Sequence, residues 1–374
     1  MPSKYEISAE AQVLLKLLRI ALGTEPMSSD CRPVEPFPQT INWAEVIRMS
    51  YEQKVSSLAV DGLKASGYDP RESKSGQQLE DLNAILKPWF NDVKNNEDSY
   101  DYYLTVLATL CQIFSANGLK TIILKGYGLS KNYPVPSHRG AGDIDLFVLD
   151  ENNNLATEKA LDIIENQLKI QTKKVPHDYE FTFKGLEVEL HYDATNAYFD
   201  TKEEKYITKR LTEMMPMDIT PCPGIPGAWL SGAAFNVLYL IRHCFGHFYT
   251  ASGNLRQYVD WLTFVRAHHN EIDWNSIDKE LGRTTMKPFF DGLVTLLNHH
   301  LGLDFALCPI ASPDSRTEQF LLQDTKGTIP YGRHLHQRIC YFYGNRKKLK
   351  FISSKGWVQL LAGSIMESVK QICR

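Results

Sequence analysis

The stretch RGAGDIDLFVLD, residues 139–150, places two aspartates one residue apart at the start of an apolar run. Alternate residues of a β-strand point to the same face of a sheet, so the side chains of Asp143 and Asp145 face the same way. Two like charges this close together are unfavourable unless a positive group lies between them. The stretch therefore predicts a buried strand that begins beside a cation.

A second acidic strand is predicted from LEVELHY, residues 186–192. Its alternation places the apolar residues on the inner face and Glu187, Glu189 and His191 on the opposite face. If this strand neighbours the first, its carboxylates join the two aspartates at one end of the sheet. A cluster of carboxylate oxygens suits hard divalent cations, chiefly Mg²⁺. Two such ions can bridge a triphosphate and an attacking hydroxyl in an in-line displacement.

The same acids have a simpler explanation, in which the first aspartate belongs to a turn and the second is a solvated strand residue. An isolated Asp-x-Asp pair favours that explanation. Three neighbouring features favour a phosphate site instead: Lys125 and Gly126 follow a buried strand, Arg139 precedes the acids, and the strand with Glu189 returns after one crossover helix. Backbone N–H groups and an ammonium group at the start of a helix can hold phosphate.

The spacing of apolar residues changes twice along the chain and predicts an α+β fold. Residues 1–118 read as an N-terminal helical region, 119–225 as a small mixed-sheet core, and 226–374 as a C-terminal helical domain. Within the core, the Lys-Gly pair at 184–185 predicts a tight hairpin turn between two alternating segments. After the core, the chain reads as helical from Ala228 onward.

The composition is that of an ordinary globular protein. Of its 374 residues, 43% are hydrophobic and 23% are charged, and the formal net charge is −3. This charge provides no global basic field of the kind that nucleic-acid-binding proteins use. The seven cysteines show no CxxC spacing, so neither a disulfide framework nor a zinc knuckle is predicted. Because the chain shows no signal-peptide pattern and no membrane-spanning run, we expect a cytoplasmic protein without a membrane partner.

Several ordered motifs resemble those of the polymerase-β-type nucleotidyltransferase superfamily. They are most similar to an uncharacterised branch with the pattern "KG", "R…DIDLLV" and "ELH". The matching segments in this sequence are LKGYGLSKNY (124–133), Arg139 with DIDLFV (143–148), LEVELHY (186–192), YEQKVSSLAVDGL (51–63) and HCFGHFYTASGNLRQYVDWLTFV (243–265).

The resemblance implies a role for each matched acidic position. Asp143 and Asp145 would be ligands of two Mg²⁺ ions. Glu189 would be the third carboxylate, binding the catalytic ion and helping to deprotonate the acceptor hydroxyl. Glu187 lies on the same face of the strand but lacks the match to "ELH", so it is the second candidate for the third carboxylate.

The resemblance also implies where the nucleotide binds. Gly126 would lie where the chain passes the phosphates. The wider superfamily has Gly-Ser at this turn, whereas this chain has Lys125 before the glycine. Lys125 and Arg139 could replace the missing serine as cations. Arg256 and Gln257 could line the nucleotide or acceptor cleft from the helical domain, although Arg256 and Asp260 could instead simply pair at i,i+4.

The activity implied by the resemblance is transfer of a nucleoside monophosphate from a nucleoside triphosphate (NTP) to a hydroxyl, with release of pyrophosphate. The acceptor is not identified by the sequence, and a small molecule, a sugar and a protein side chain all present hydroxyls. A catalytically silent nucleotide- or partner-binding module on the same fold is the alternative, suggested by the missing Gly-Ser. Nucleic acid is a less favoured partner, for which the basic run RKKLK (346–350) is the motivating feature.

Overall fold

The protein is described by a computed structural model that covers most of the chain. The described residues are 7–30, 32–38, 40–72, 74–140, 142–195, 201–250, 253–324, 358–359 and 361–362. The basic run at 346–350 lies outside these residues.

Four helices precede the first strand in the described part of the chain, and they confirm the predicted N-terminal helical region. They are α1 (Ala9–Ala21), α2 (Trp43–Glu52), α3 (Ser56–Ala65) and α4 (Gly76–Ala116). The N-terminus of α2 is capped by the side chain of Asn42, which accepts a hydrogen bond of 3.3 Å from the backbone N–H of Glu45. Helix α4 contains 41 residues, which corresponds to a length of about 60 Å.

Seven strands of the described residues form one mixed sheet. They are β1 (Lys120–Ile123), β2 (Ile144–Leu149), β3 (Lys173–Lys174), β4 (Asp178–Phe183), β5 (Leu186–His191), β6 (Ile219–Pro221) and β7 (Ala228–Ser231). Their order is β3-β4-β5-β2-β1-β7-β6, with β2 antiparallel to β1 and parallel to β5. The hairpin between β4 and β5 turns at Lys184 and Gly185, whose φ angles of 47° and 79° are both positive. A type I′ turn requires this, so the predicted hairpin turn is confirmed.

The central strand β2 is buried on both faces. Its alternate residues enter two different apolar clusters, and helices contribute to both. The first cluster contains Ile144, Leu146 and Val148, and the second contains Phe147 and Leu149. The predicted alternation of β2 is therefore confirmed, and helices cover the sheet on both sides.

Helices connect the strands and follow the sheet. They are α5 (Tyr127–Ser130), α6 (Thr157–Asp162), α7 (Lys202–Met214), α8 (Ala233–Thr250), α9 (Leu255–His268), α10 (Trp274–Gly282), α11 (Lys287–Leu301) and α12 (Ser315–Asp324). Helix α6 continues directly into a π-helical turn at Ile163–Gln167. Among the residues that the structure covers, no helix combines the length and apolar character that crossing a bilayer requires.

The prediction that the chain is helical from Ala228 onward was wrong for its first four residues. Residues 228–231 form β7, in which Ala228 pairs in parallel with Thr121 of β1. The backbone N–H of Thr121 also donates a 3.2 Å hydrogen bond to the carbonyl oxygen of Gly227. Strand β1 would otherwise present unpaired N–H and C=O groups on this side, and β7 satisfies them. The helical part then begins with α8.

Gly62 allows α3 to pack closely on α1. A Cβ atom at Gly62 would overlap the backbone carbonyl group of Leu17. We expect Gly62→Ala to lower the free energy of unfolding by about 1–3 kcal/mol, because the two helix backbones must move apart. Urea unfolding measures the change. The control is Gly282→Ala, where a Cβ meets no atom within 4 Å and the change should stay within about 0.5 kcal/mol. Equal losses in the two variants would contradict this account.

Candidate active site

The parallel pairing of β2 with β5 brings two of the predicted carboxylates together. In the register of these strands, Asp145 lies opposite Glu189. One donor atom from each of Asp145, Glu189 and His191 lies within 4.8 Å of the others. The two acidic strands are therefore neighbours, and the carboxylates of Asp145 and Glu189 meet at one position of the sheet.

A cavity of about 690 Å³ opens beside these carboxylates. Both Asp145 and Glu189 line it. The remaining walls include residues from helical segments that precede and follow the strands in the sequence. The loop before α3 contributes Lys54, α4 contributes Asn96, and α9 contributes Arg256. Ligand pockets in proteins typically have volumes of about 300–1,000 Å³, so the cavity can hold a small molecule of nucleotide size.

The positive group beside Asp145 is the side chain of Lys125. Its Nζ lies 2.7 Å from Asp145 Oδ1, and Nε2 of His191 lies 3.2 Å from the same oxygen. The sequence predicted a bound cation here, and the structure places a lysine and a histidine of the chain itself beside the carboxylate. Asp145 therefore has internal positive partners before any ion binds.

These close contacts shift the pKa values of all three groups. Burial opposes the charge of Lys125, but the adjacent Asp145 outweighs burial and raises the pKa of the ammonium group. Burial also opposes the charge of Asp145, but Lys125 and His191 hold its pKa well below the usual range. For His191, burial is outweighed by hydrogen bonds to Asp145 and Glu189, which raise its pKa to about 9. All three groups are therefore ionised at neutral pH, two as cations and one as an anion.

The other two acidic residues of these strands occupy different environments. Asp143 is exposed just before β2 and lines the cavity, but it is not part of the close group described above. Glu187 is exposed and accepts a 3.1 Å hydrogen bond from the hydroxyl of Thr182. Glu187 does not line the cavity, so only Asp143 of these two faces the same space as the close group.

Gly126 lies at a turn that only a residue without a side chain can occupy. Its φ is 55°, in the left-handed region that favours glycine. A Cβ atom there would also overlap the hydroxyl of Tyr103 on α4 and lie 3.9 Å from the backbone oxygen of Asp143. The turn at Gly126 therefore runs directly beside the first predicted aspartate, and both residues line the cavity.

Arg139 lines the cavity, but its charge is already paired. Its Nε and Nη2 donate hydrogen bonds of 2.7 and 2.9 Å to the two oxygens of Asp260. The hydroxyl of Tyr133 donates a 2.7 Å hydrogen bond to the same carboxylate. All three side chains are buried. Arg139 thus connects the loop before β2 to α9, and its predicted contact with phosphate stays a prediction.

At the start of α9, the structure excludes one of the two arrangements predicted for Arg256, namely its ion pair with Asp260. Asp260 bonds to Arg139 and not to Arg256, so the i,i+4 pair is not formed. Nε of Arg256 has no hydrogen-bond partner within the described part of the chain, and burial followed by the charge of Arg139 lowers its pKa. Gln257 forms a capping box with Asn254 at the helix start while also lining the cavity.

Two histidines of α8 form another part of the cavity wall. The ring centroids of His243 and His247 lie 4.7 Å apart. Burial lowers the pKa of His247 to about 4 and lowers that of His243 well below its usual value. Both rings are therefore neutral at pH 7. They are not part of either group of metal-binding donors found among the described residues.

Lys54 and Tyr239 are among the cavity residues that the sequence did not indicate. Lys54 follows α2 with a φ of 55°, and burial and Arg256 lower its pKa while Asp143 raises it. Tyr239 of α8 makes a side-chain hydrogen bond with Lys125, and burial raises its pKa above the usual value. Lys54 lies inside the matched segment 51–63 and Tyr239 inside a purely apolar helical pattern. Neither pattern indicates that the residue approaches β2.

The Arg139–Asp260 pair provides a test of how the site is held together. We expect Asp260→Asn to lower the free energy of unfolding by about 3–5 kcal/mol, because it leaves a buried guanidinium without its counter-charge. The matched control is Asp69→Asn, which removes the same charge from an exposed Asp69–Arg71 pair and should cost less than about 1 kcal/mol. Chemical denaturation of both variants measures the difference. Similar small costs would show that the buried pair does not hold the loop to α9.

The comparison with known proteins agrees with this geometry. A family described as an uncharacterised nucleotidyltransferase matches residues 39–302, a range that contains Lys54, both acidic strands and α9. No curated protein and no solved structure matches the chain. The match supports the superfamily resemblance, and the finer branch pattern stays a prediction. Because the match covers more than half of the chain, this protein belongs to the family of uncharacterised nucleotidyltransferases.

Proposed function

We propose that this protein transfers a nucleoside monophosphate from an NTP to a hydroxyl of an acceptor, in a Mg²⁺-dependent reaction that releases pyrophosphate. The observation that supports this most strongly is the pairing of Asp145 with Glu189 on adjacent strands beside one cavity. Family membership supports nucleotidyl transfer in general. Metal dependence, the acceptor and the role of each residue are parts of the proposal.

The acidic residues fit Mg²⁺ by the chemistry of their donor atoms. Oxygen ligands suit this ion, and Asp145 and Glu189 offer carboxylate oxygens in one close group. The side chain of Glu189 is 29% exposed, so it is accessible from the cavity, and Asp143 lines the same space. We assign these three residues as ligands of two ions. Bound there, Mg²⁺ would neutralise charge on the triphosphate and orient the reacting phosphoryl group.

The cations best placed for the triphosphate are Lys54 and Arg256. Both line the cavity, and neither forms an ion pair with a carboxylate among the described residues. Arg139, by contrast, is fully engaged with Asp260. Burial and the charge of a neighbouring arginine lower the pKa of each group, with Arg256 beside Lys54 and Arg139 beside Arg256, so each cation is repelled by another. An anion bound between them would relieve this repulsion.

The acceptor hydroxyl would lose its proton to Glu189. The carboxylate of Glu189 is accessible from the cavity, and His191 Nε2 lies 3.4 Å from its Oε2. The histidine would help to orient the carboxylate, and the acceptor hydroxyl would need to lie within hydrogen-bond reach of it. The wall from α4 is polar, with Asn95 and Asn96 among its residues. That wall suits a polar acceptor, and a small molecule, a sugar and a protein side chain are all compatible with it.

A silent binding module is the second candidate function. The observation that favours it is the Lys125–Asp145 ion pair, which neutralises one of the proposed metal ligands. In such a module, the protein would bind nucleotide in the cavity without transferring it. Tight nucleotide binding without turnover against any acceptor, including the protein itself, would favour this function over catalysis.

Transfer from an NTP labelled at its α-phosphate tests the proposed activity. Acceptors are supplied as a small-molecule extract, as sugars, and as the protein itself. We expect Glu189→Gln and the double variant Asp143→Asn/Asp145→Asn to lose at least about 100-fold in rate, since ligand and base are removed. The matched control is Glu187→Gln on the same strand, which should retain full activity. Unchanged Mg²⁺-dependent nucleotide binding in the double variant would show that the site is misassigned.

The Lys125–Asp145 pair generates a separate prediction. The ammonium group occupies the oxygen that a metal ion would use, so Lys125→Met should bind Mn²⁺ about 10-fold more tightly in the absence of nucleotide. The same variant should bind nucleotide more weakly, because it lacks a cation. Isothermal titration with Mn²⁺ and with a non-hydrolysable NTP measures both effects. Lys131→Met, which alters an exposed lysine bonded to the Pro223 carbonyl, is the control. Unaltered Mn²⁺ affinity in Lys125→Met would exclude this competition.

A further inference from the structure

A second group of donor atoms shares His191 with the close group that contains Asp145 and Glu189. His177 and Asp178 lie at the start of β4, and the register places Asp178 opposite His191 of β5. One donor atom from each of these three residues lies within 4.8 Å of the others. Asp178 is 1% exposed and His191 is 2% exposed, whereas the side chain of His177 is 24% exposed.

Each of these side chains has a buried polar atom without a partner. The atoms are Nδ1 of His177, Oδ1 of Asp178 and Nδ1 of His191, and none has a hydrogen bond within the described part of the chain. Leaving a buried donor or acceptor unpaired is costly, and native proteins avoid it. Three such atoms on three neighbouring residues would be satisfied by a bound ion or a water molecule.

The contact between His177 and Asp178 does not satisfy the group by itself. Nε2 of His177 lies 3.1 Å from Oδ2 of Asp178, which uses one nitrogen and one oxygen of the pair. The second nitrogen of the ring and the second oxygen of the carboxylate remain unpaired. The hydrogen bond between the two side chains therefore satisfies only two of their four polar atoms.

The imidazole of His191 has the arrangement of a metal-ligating histidine. Its Nε2 lies 3.2 Å from Asp145 Oδ1 and 3.4 Å from Glu189 Oε2, which leaves Nδ1 for a metal ion that displaces its proton. Histidines that bind metals through one nitrogen usually donate the other N–H to a carboxylate, which fixes the tautomer and the ring orientation. Here the carboxylates of the nucleotide site would serve as that partner.

We propose that His177, Asp178 and His191 bind one transition-metal ion, with Zn²⁺ as the best-suited occupant, beside the nucleotide site and distinct from its Mg²⁺ ligands. Two imidazole nitrogens and one carboxylate oxygen form a donor set that suits zinc and not magnesium. His177 and His191 both line the cavity, so the ion has a path to the group and a water molecule can complete its coordination. This proposal does not depend on the transfer activity.

Zinc binding by the full-length protein tests the proposal. The protein is stripped with a chelator and titrated with Zn²⁺ against a colorimetric competitor, and Co²⁺ absorption reports the coordination geometry. We expect one Zn²⁺ per chain, and we expect His177→Gln and Asp178→Asn to weaken its affinity at least about 100-fold, more than a change in an outer-shell partner would. Zinc should also raise the melting temperature of the wild type and not that of the variants.

Two controls separate this site from others. His268→Gln makes the same substitution at a histidine that contacts Asn132 and Glu271 and should leave zinc affinity unchanged. Asp143→Asn should retain zinc while losing nucleotide transfer, so failure of one proposal is distinguishable from failure of the other. A wild type that binds no Zn²⁺ at micromolar concentrations, or equal affinity in Asp178→Asn, would overturn the proposal. Asp178→Asn nearly preserves side-chain shape, and its thermal unfolding without metal verifies that it folds.

Discussion

Asp145 carries a charge that is 6% exposed, and a buried charge is stable only when opposite charges and hydrogen bonds surround it. The chain provides these from two separate segments. Lys125 comes from the end of β1, and His191 comes from the last residue of β5. The positions of three strands at the rim of the sheet are therefore connected through one carboxylate. In the cavity without a ligand, the carboxylate of Asp145 is therefore already paired with Lys125 and His191.

The helices on either side of the sheet turn this rim into an enclosed space. Arg139 and Asp260 connect the loop before β2 to α9 through a buried ion pair. The residue next to that contact in the cavity, Arg256, retains a guanidinium nitrogen without a partner. Arg139 thus has a structural role, and Arg256 remains available for a ligand. The sequence alone does not distinguish these two roles.

Much of the fold and part of the site could be predicted from the sequence, because both depend on local periodicity. The alternation in residues 143–149 and 186–191 identified β2, β5 and the shared face of Asp145 and Glu189. Strand β7 was missed because its four residues are held in the sheet by pairing with β1 and β6, which lie far from each other in the sequence. Lys54 and the Arg139–Asp260 pair were missed because they depend on contacts between distant segments. The positive group beside Asp145 was predicted to be a metal ion, because no local pattern indicates that the side chain of Lys125 reaches this carboxylate.

The 41-residue helix α4 reaches two functionally different places. Near its middle, Asn95 and Asn96 face the cavity, and two turns later the hydroxyl of Tyr103 lies against Gly126. Because one continuous helix makes both contacts, the polar wall of the cavity and the turn at Gly126 are positioned together.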